Sequence, residues 1–175
     1  RYGSSEMKEI WSERNKRLLL RRVWIALASA QNKAGLVTDK QLADLKAHEQ
    51  DVDIERALEI EAEIHHDLMA EIKTYAEQCK VGGGIIHLGA TSMDVLDNAD
   101  ALRLKQSVEL VLVKTRALRA SLAEKVKKYR DVPCMAFTHI QSAEVTTVGY
   151  RLALVVQDLD ECIKELETLE IKGKG

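Results

Sequence analysis

Apolar residues recur three and four positions apart over most of this chain, the spacing that gathers them on one face of a helix. Ser4 and Ser5 precede Met7, Ile10 and Trp11, a short amphipathic stretch behind a serine cap. Leu20, Val23, Trp24, Leu27 and Ala28 carry a second helix over 12–34, and Gly35 supplies its stop. Thr38 with Gln41 forms a capping box that opens a third through Leu42 and Leu45. The pattern continues through Ile54, Leu58, Ile60 and Ile64, then through Leu68, Met69, Ile72, Tyr75 and Ala76 to about Lys80.

The regularity breaks at Val81, where four glycines in nine residues cannot sit comfortably inside a helix. Beyond this break, Leu104, Val108, Val111, Thr115, Leu118 and Leu122 alternate four and three apart. That seam predicts one helix from about Asp94 to Tyr129, on the order of 50 Å long at 1.5 Å per residue. Pro133 is expected to end it, and 136–147 to form a polar loop. A second seam follows at Leu152, Val156, Leu159, Ile163 and Leu166. Two long antiparallel helices with stepped seams cannot bury both faces against each other, so partner helices are required. The expected architecture is an elongated helical bundle completed by other subunits.

Composition narrows the class. A single Pro and nine Gly in 175 residues exclude a turn-rich all-β chain. With 26 Lys and Arg against 28 Asp and Glu, the net charge of −2 gives no general reason to expect nucleic acid or an anionic membrane as partner. The longest uncharged run, 81–93, is glycine-rich and short of the roughly 20 apolar residues a membrane span needs. Cys79, Cys134 and Cys162 are widely spaced, without CxxC or Cys/His clustering, which argues for reduced thiols in a cytoplasmic protein and against a zinc site.

Candidate chemistry gathers where helices begin or end. Thr91 and Ser92 sit where glycine-rich backbone meets the start of the long helix, either as an ordinary cap or as a cradle for a carboxylate or phosphate. His139 lies between the two long helices, either as an exposed side chain or as a proton donor near neutral pH. His66 beside Asp67 allows a carboxylate to orient an imidazole, although such neighbours are also common on surfaces. The glycine run matches neither a phosphate loop nor a dinucleotide fingerprint, and Ser92 is not in a nucleophile elbow.

Together these clusters form a pattern: Arg1-Tyr2-x-Ser4-x-Glu6-Met7, then His66-Asp67, then Ile-Ile-His87-Leu-Gly-Ala-Thr91-Ser92-x-Asp94-x-x-Asp97-Asn98, then Thr138-His139-x-Gln141-x-Ala143-x-x-Thr146-Thr147-x-Gly149-x-Arg151. The pattern resembles the adenylosuccinate lyase family of the fumarase/aspartase superfamily over essentially all 175 residues. The resemblance implies an all-α fold: an N-terminal helical domain over 1–90, then the first long helices of the central bundle over 91–175, with the rest of the bundle and the C-terminal domain absent. It also implies β-elimination of fumarate from adenylosuccinate, giving AMP, and from SAICAR, giving AICAR, with no cofactor and no metal. The assembly it implies is a homotetramer whose sites are shared between subunits. Sister lyases of the superfamily and a non-catalytic oligomerisation scaffold are the competing readings.

By that resemblance Arg1 and Tyr2 grip the AMP phosphate, and His65, His66 and Asp67 line the substrate site. His87 lies on the phosphate side or behind it, and Thr91 and Ser92 hold a succinyl carboxylate. His139 is the catalytic acid, with His66 as a second catalytic residue and Thr138 and Gln141 as substrate contacts. The family's catalytic serine belongs to a block resembling Gly-Ser-Ser-x-Met-Pro-x-Lys-x-Asn, which these residues do not contain, so the chain alone is expected to be inactive. Two further departures are Ser142 and Val145 where many members have Pro, and His65 where relatives often have Arg.

Overall fold

The computed structural model describes residues 2–174. In chain order it contains α1 (Ser5–Ile10), α2 (Glu13–Lys33), α3 (Asp39–Ala47), α4 (Ile54–Ile64), α5 (Asp67–Gln78), α6 (Ser92–Lys128), β1 (Pro133–Thr138), β2 (Gln141–Thr147) and α7 (Val148–Thr168). The caps are local chemistry. Ser4, Ser12, Asp53 and Thr147 each accept a hydrogen bond from the backbone N–H three residues on, and Thr38 with Gln41 makes both halves of a capping box.

Two compact units result, one running to Gln106 and rejoined by residues from Ile171 onward, the other Ser107–Glu170. The contacts therefore part inside α6, whereas the sequence reading placed its boundary at 90/91, at the start of that helix.

The first unit closes a core of its own. Leu19, Leu20, Trp24 and Ala28 from α2 pack with Leu45, Leu68, Tyr75, Cys79, Ile86, Val95 and Ala99. Burying side chains of Leu or Phe size contributes about 1.5–3 kcal/mol each. Inside this core lies a charged cluster. Glu71 of α5 accepts from Arg17 Nη1 at 2.7 Å and from Arg21 Nε at 3.0 Å, and all three residues are buried. Arg21 also donates to the His48 carbonyl at 2.8 Å and stacks over the Tyr75 ring. Tyr75 in turn donates to the Leu45 carbonyl.

The glycine-rich segment is pinned to this core rather than loose. Asp44 Oδ2 accepts from the N–H groups of both Val81 and Gly82 at 2.8 Å, and those bonds hold its carboxyl below the usual range. A Cβ at Gly82 would lie 2.6 Å from the Gln41 carbonyl oxygen, so only glycine permits this approach to α3.

In the second unit the C-terminal half of α6 runs antiparallel to α7. Arg119 makes a forked pair with Asp160 at 2.9 and 3.0 Å, and Arg116 meets Glu167 at 2.6 Å. Gly149 sits where the backbones come closest: a Cβ there would fall 2.6 Å from Arg130 Cα and 2.8 Å from the Val126 carbonyl.

The segment read as a polar loop is instead an antiparallel hairpin, β1 with β2, carrying an irregularity between Met135 and Phe137. Pro133 does not end α6, which stops at Lys128; it opens β1, a position where a missing N–H is tolerated. Met135, Phe137, Val145 and the paired threonines favour extended backbone, and pairing satisfies polar groups that a loop would leave to water. The fold remains helical apart from this hairpin.

Candidate functional site

Within the first unit, the junction of α4 and α5 is built from three consecutive polar residues. His65 ends α4 in a left-handed conformation with φ 55°, a region non-glycine residues rarely enter. His66 turns extended and caps α5: its Nδ1 accepts from the Met69 N–H at 3.3 Å. That bond requires a lone pair on Nδ1, so the neutral ring carries its proton on Nε2. Asp67, the first residue of α5, lies 3.8 Å from Lys16 Nζ and 3.8 Å from His66 Nδ1. All three side chains are exposed.

The glycine-rich segment brings a second histidine to the same neighbourhood. His87 is also left-handed, with φ 67°, and its Nδ1 accepts from the Trp24 indole N–H at 3.1 Å. The two rings meet edge to face. Burial lowers the proton affinity of His87, Asp94 opposes that effect, and His66 lies near enough to add to it. Four residues further, the Thr91 N–H donates to Asp94 Oδ2 at 2.8 Å at the start of α6. This bond, with the pairing of Lys174 at 2.9 Å, keeps the Asp94 carboxyl below the usual range. Thr91 is exposed and Ser92, the first residue of α6, is half-buried.

His66 at the start of α5, His87 in the glycine-rich segment and the Thr91–Asp94 turn at the start of α6 all belong to the first unit, and both His66 and Asp94 act electrostatically on His87. The array offers imidazole N–H donors, hydroxyls and the amide-rich start of a 37-residue helix, a setting suited to a carboxylate or phosphate. Tyr2 is 92% exposed in the same unit. Arg1 lies outside the described residues.

The second unit carries the other group. Thr138 pairs with Gln141 at the end of the hairpin, leaving His139 and Ile140 as its two-residue turn. Both have positive φ, 49° and 67°, the requirement of a type I′ turn. The turn is normally filled by Asn and Gly; a β-branched residue there is strained. His139 is exposed, and its ring makes no hydrogen bond among the described residues.

Three participants were not singled out from sequence. Trp24 read as part of the apolar face of its helix, Lys16 carried no reading, and Asp94 was one element of a longer pattern. The spacing Thr91-x-x-Asp94 is itself a capping signal, and Trp24 lies on the apolar face of α2, where an indole N–H must find an acceptor when buried.

A family model described as "Lyase" matches residues 3–172. The chain belongs to this lyase family. It is 41% identical over 172 residues to the adenylosuccinate lyase of Pyrococcus abyssi, covering 97% of the chain and 38% of the relative. Against the adenylosuccinate lyase of Saccharomyces cerevisiae the identity is 38% over 163 residues, 91% of the chain and 34% of the relative. The chain therefore spans well under half the length of these curated relatives. Among solved structures it is similar to a 3-carboxy-cis,cis-muconate lactonizing enzyme from Pseudomonas putida, with TM-score 0.87 and 27% identity, covering 95% of the chain and 39% of that one. A fumarate lyase from Mesorhizobium, TM-score 0.87 at 24% identity over 100% of the chain and 44% of its own, shares the fold. This lyase-family chain has no helix among the described residues long and apolar enough to cross a membrane.

Proposed function

We propose that the chain is part of an adenylosuccinate lyase, which eliminates fumarate from adenylosuccinate and from SAICAR in purine biosynthesis. The observation that carries this reading is the 41% identity to an adenylosuccinate lyase across 97% of the chain. The reaction removes a proton from the carbon beside one succinyl carboxylate, holds the resulting carbanion as an aci-carboxylate, breaks the C–N bond and protonates the departing nitrogen. It needs donors around the carboxylates and an acid of matched pKa.

Thr91, Ser92 and the start of α6 supply donors for a succinyl carboxylate, and Arg1 with Tyr2 grips the phosphate. His66, with Nδ1 engaged as a cap, serves through Nε2–H as a donor, with His65 and Asp67 beside it. His139, exposed on a strained turn flanked by Thr138 and Gln141, is the acid toward the leaving nitrogen. The proton-abstracting serine is supplied by residues outside this sequence, in a cytoplasmic homotetramer with shared sites.

The test is fumarate release from adenylosuccinate by the chain alone and mixed with a polypeptide supplying the remaining helices. Activity only in the mixture, lost with His139→Ala, supports the reading. Inactivity in a mixture shown to assemble overturns it in favour of a sister lyase or a scaffold.

A further inference from the structure

We propose that Trp24 is a positioning residue that fixes His87 as a neutral Nε2–H donor facing the candidate site. The indole N–H can only donate, so its 3.1 Å bond to His87 Nδ1 is possible only while that nitrogen keeps its lone pair. The single proton of the neutral ring must then sit on Nε2. A second proton could enter only at Nδ1, where it would meet the indole hydrogen head-on. His87 is thereby a hydrogen-bond donor at neutral pH and neither a proton acceptor nor a cation.

The surroundings reinforce this assignment. Trp24 is 1% exposed, stacked on Tyr75 with ring centroids 6.3 Å apart, and Tyr75 is itself anchored by its hydroxyl and by Arg21. The donor is thus held by the core of the first unit. The charged and titratable groups that act on His87 are Asp94 at the start of α6 and His66 at the start of α5: the first favours its protonation and the second opposes it. No partner for His87 Nε2 is present among the described residues, which leaves that N–H available to a ligand. If the lyase reading holds, on which only this last step rests, the donor is directed at an anionic oxygen of the substrate and contributes to binding rather than to proton transfer.

Nitrogen-15 NMR of the chain tests the assignment without reference to activity. The expected spectrum near pH 7 shows His87 with Nδ1 unprotonated and Nε2 protonated, and a coupling between Trp24 Nε1 and His87 Nδ1 across the hydrogen bond. Trp24→Phe should release Nδ1, giving the mixture of tautomers of a free ring and moving the titration up toward the ordinary value of about 6.5. Looser packing alone would raise the titration but would not remove a tautomer preference imposed by a donor. A protonated Nδ1 in the unaltered chain, or no coupling, overturns the proposal whether or not the Trp24→Phe chain folds. In an assembly that turns over substrate, Trp24→Phe should raise KM several-fold with kcat little changed; a fall in kcat alone would overturn the donor role while leaving the lyase reading intact.

Discussion

The two units of this chain are made of similar helices and differ in what they bury. In the first, α2 and α5 enclose Trp24, Tyr75 and Leu68 with a charged cluster at the centre. In the second, no hydrophobic side chain among the described residues is fully buried, and Val111, Val113, Leu118, Leu154 and Val155 stay exposed. A heptad seam writes a helix into the sequence without supplying the surface that covers it. The first unit is held by its own packing, whereas the second is held by ion pairs, a hairpin and one close backbone crossing.

The largest effect should come from the first unit. Glu71→Ala leaves Arg21 buried with no carboxylate partner and Arg17 with only the exposed Glu13 at 3.8 Å, and should cost about 3–5 kcal/mol in denaturant unfolding. Replacing Arg17, Arg21 and Glu71 together by methionines should recover most of that loss, because no charge is then stranded. In the second unit, Gly149→Ala forces α7 off Arg130 and should cost about 1–3 kcal/mol. That loss should accelerate amide exchange at the start of α7 and leave α2 unchanged. Ile140→Gly should act in the opposite direction, stabilising the hairpin by about 1 kcal/mol, since Ile140 is 94% exposed and contributes strain without packing.

Acid separates further groups. His87 binds protons less readily folded than unfolded, so its contribution is complete above about pH 6.5 and is lost as pH falls from there through its lower folded value. Asp44 and Asp94 also have lowered values, so their contributions persist until pH falls below about 3.8. Stability measured against pH should therefore decline in two separated stages, and His87→Phe should remove the first. The smallest contrast is chemical: Cys79 is buried with its thiol pushed up to about 12 and should resist alkylation in the folded chain, while exposed Cys162 reacts.

Much of this was legible because it is local. Ser12, Thr38 and Gly35 mark helix ends through hydrogen bonds or backbone conformations spanning a few residues. The hairpin was not legible, since neither face of β1 or β2 is well buried and no clean alternation marks the strands. Arg17 and Arg21 were passed over because charged residues are seldom buried, although their spacing places them on the same side of α2 as Trp24. The electrostatic influence of His66 on His87 depends on how α5 and the glycine-rich segment pack, which no local pattern records.

Native-state hydrogen exchange on the dilute chain tests most directly whether the two units differ as described. Amides of α2 and α5 should exchange only through global opening of the first unit, and those of α7 through smaller openings, with protection rising as association covers its seam. Equal protection of α7 and α2 at every concentration would contradict the account.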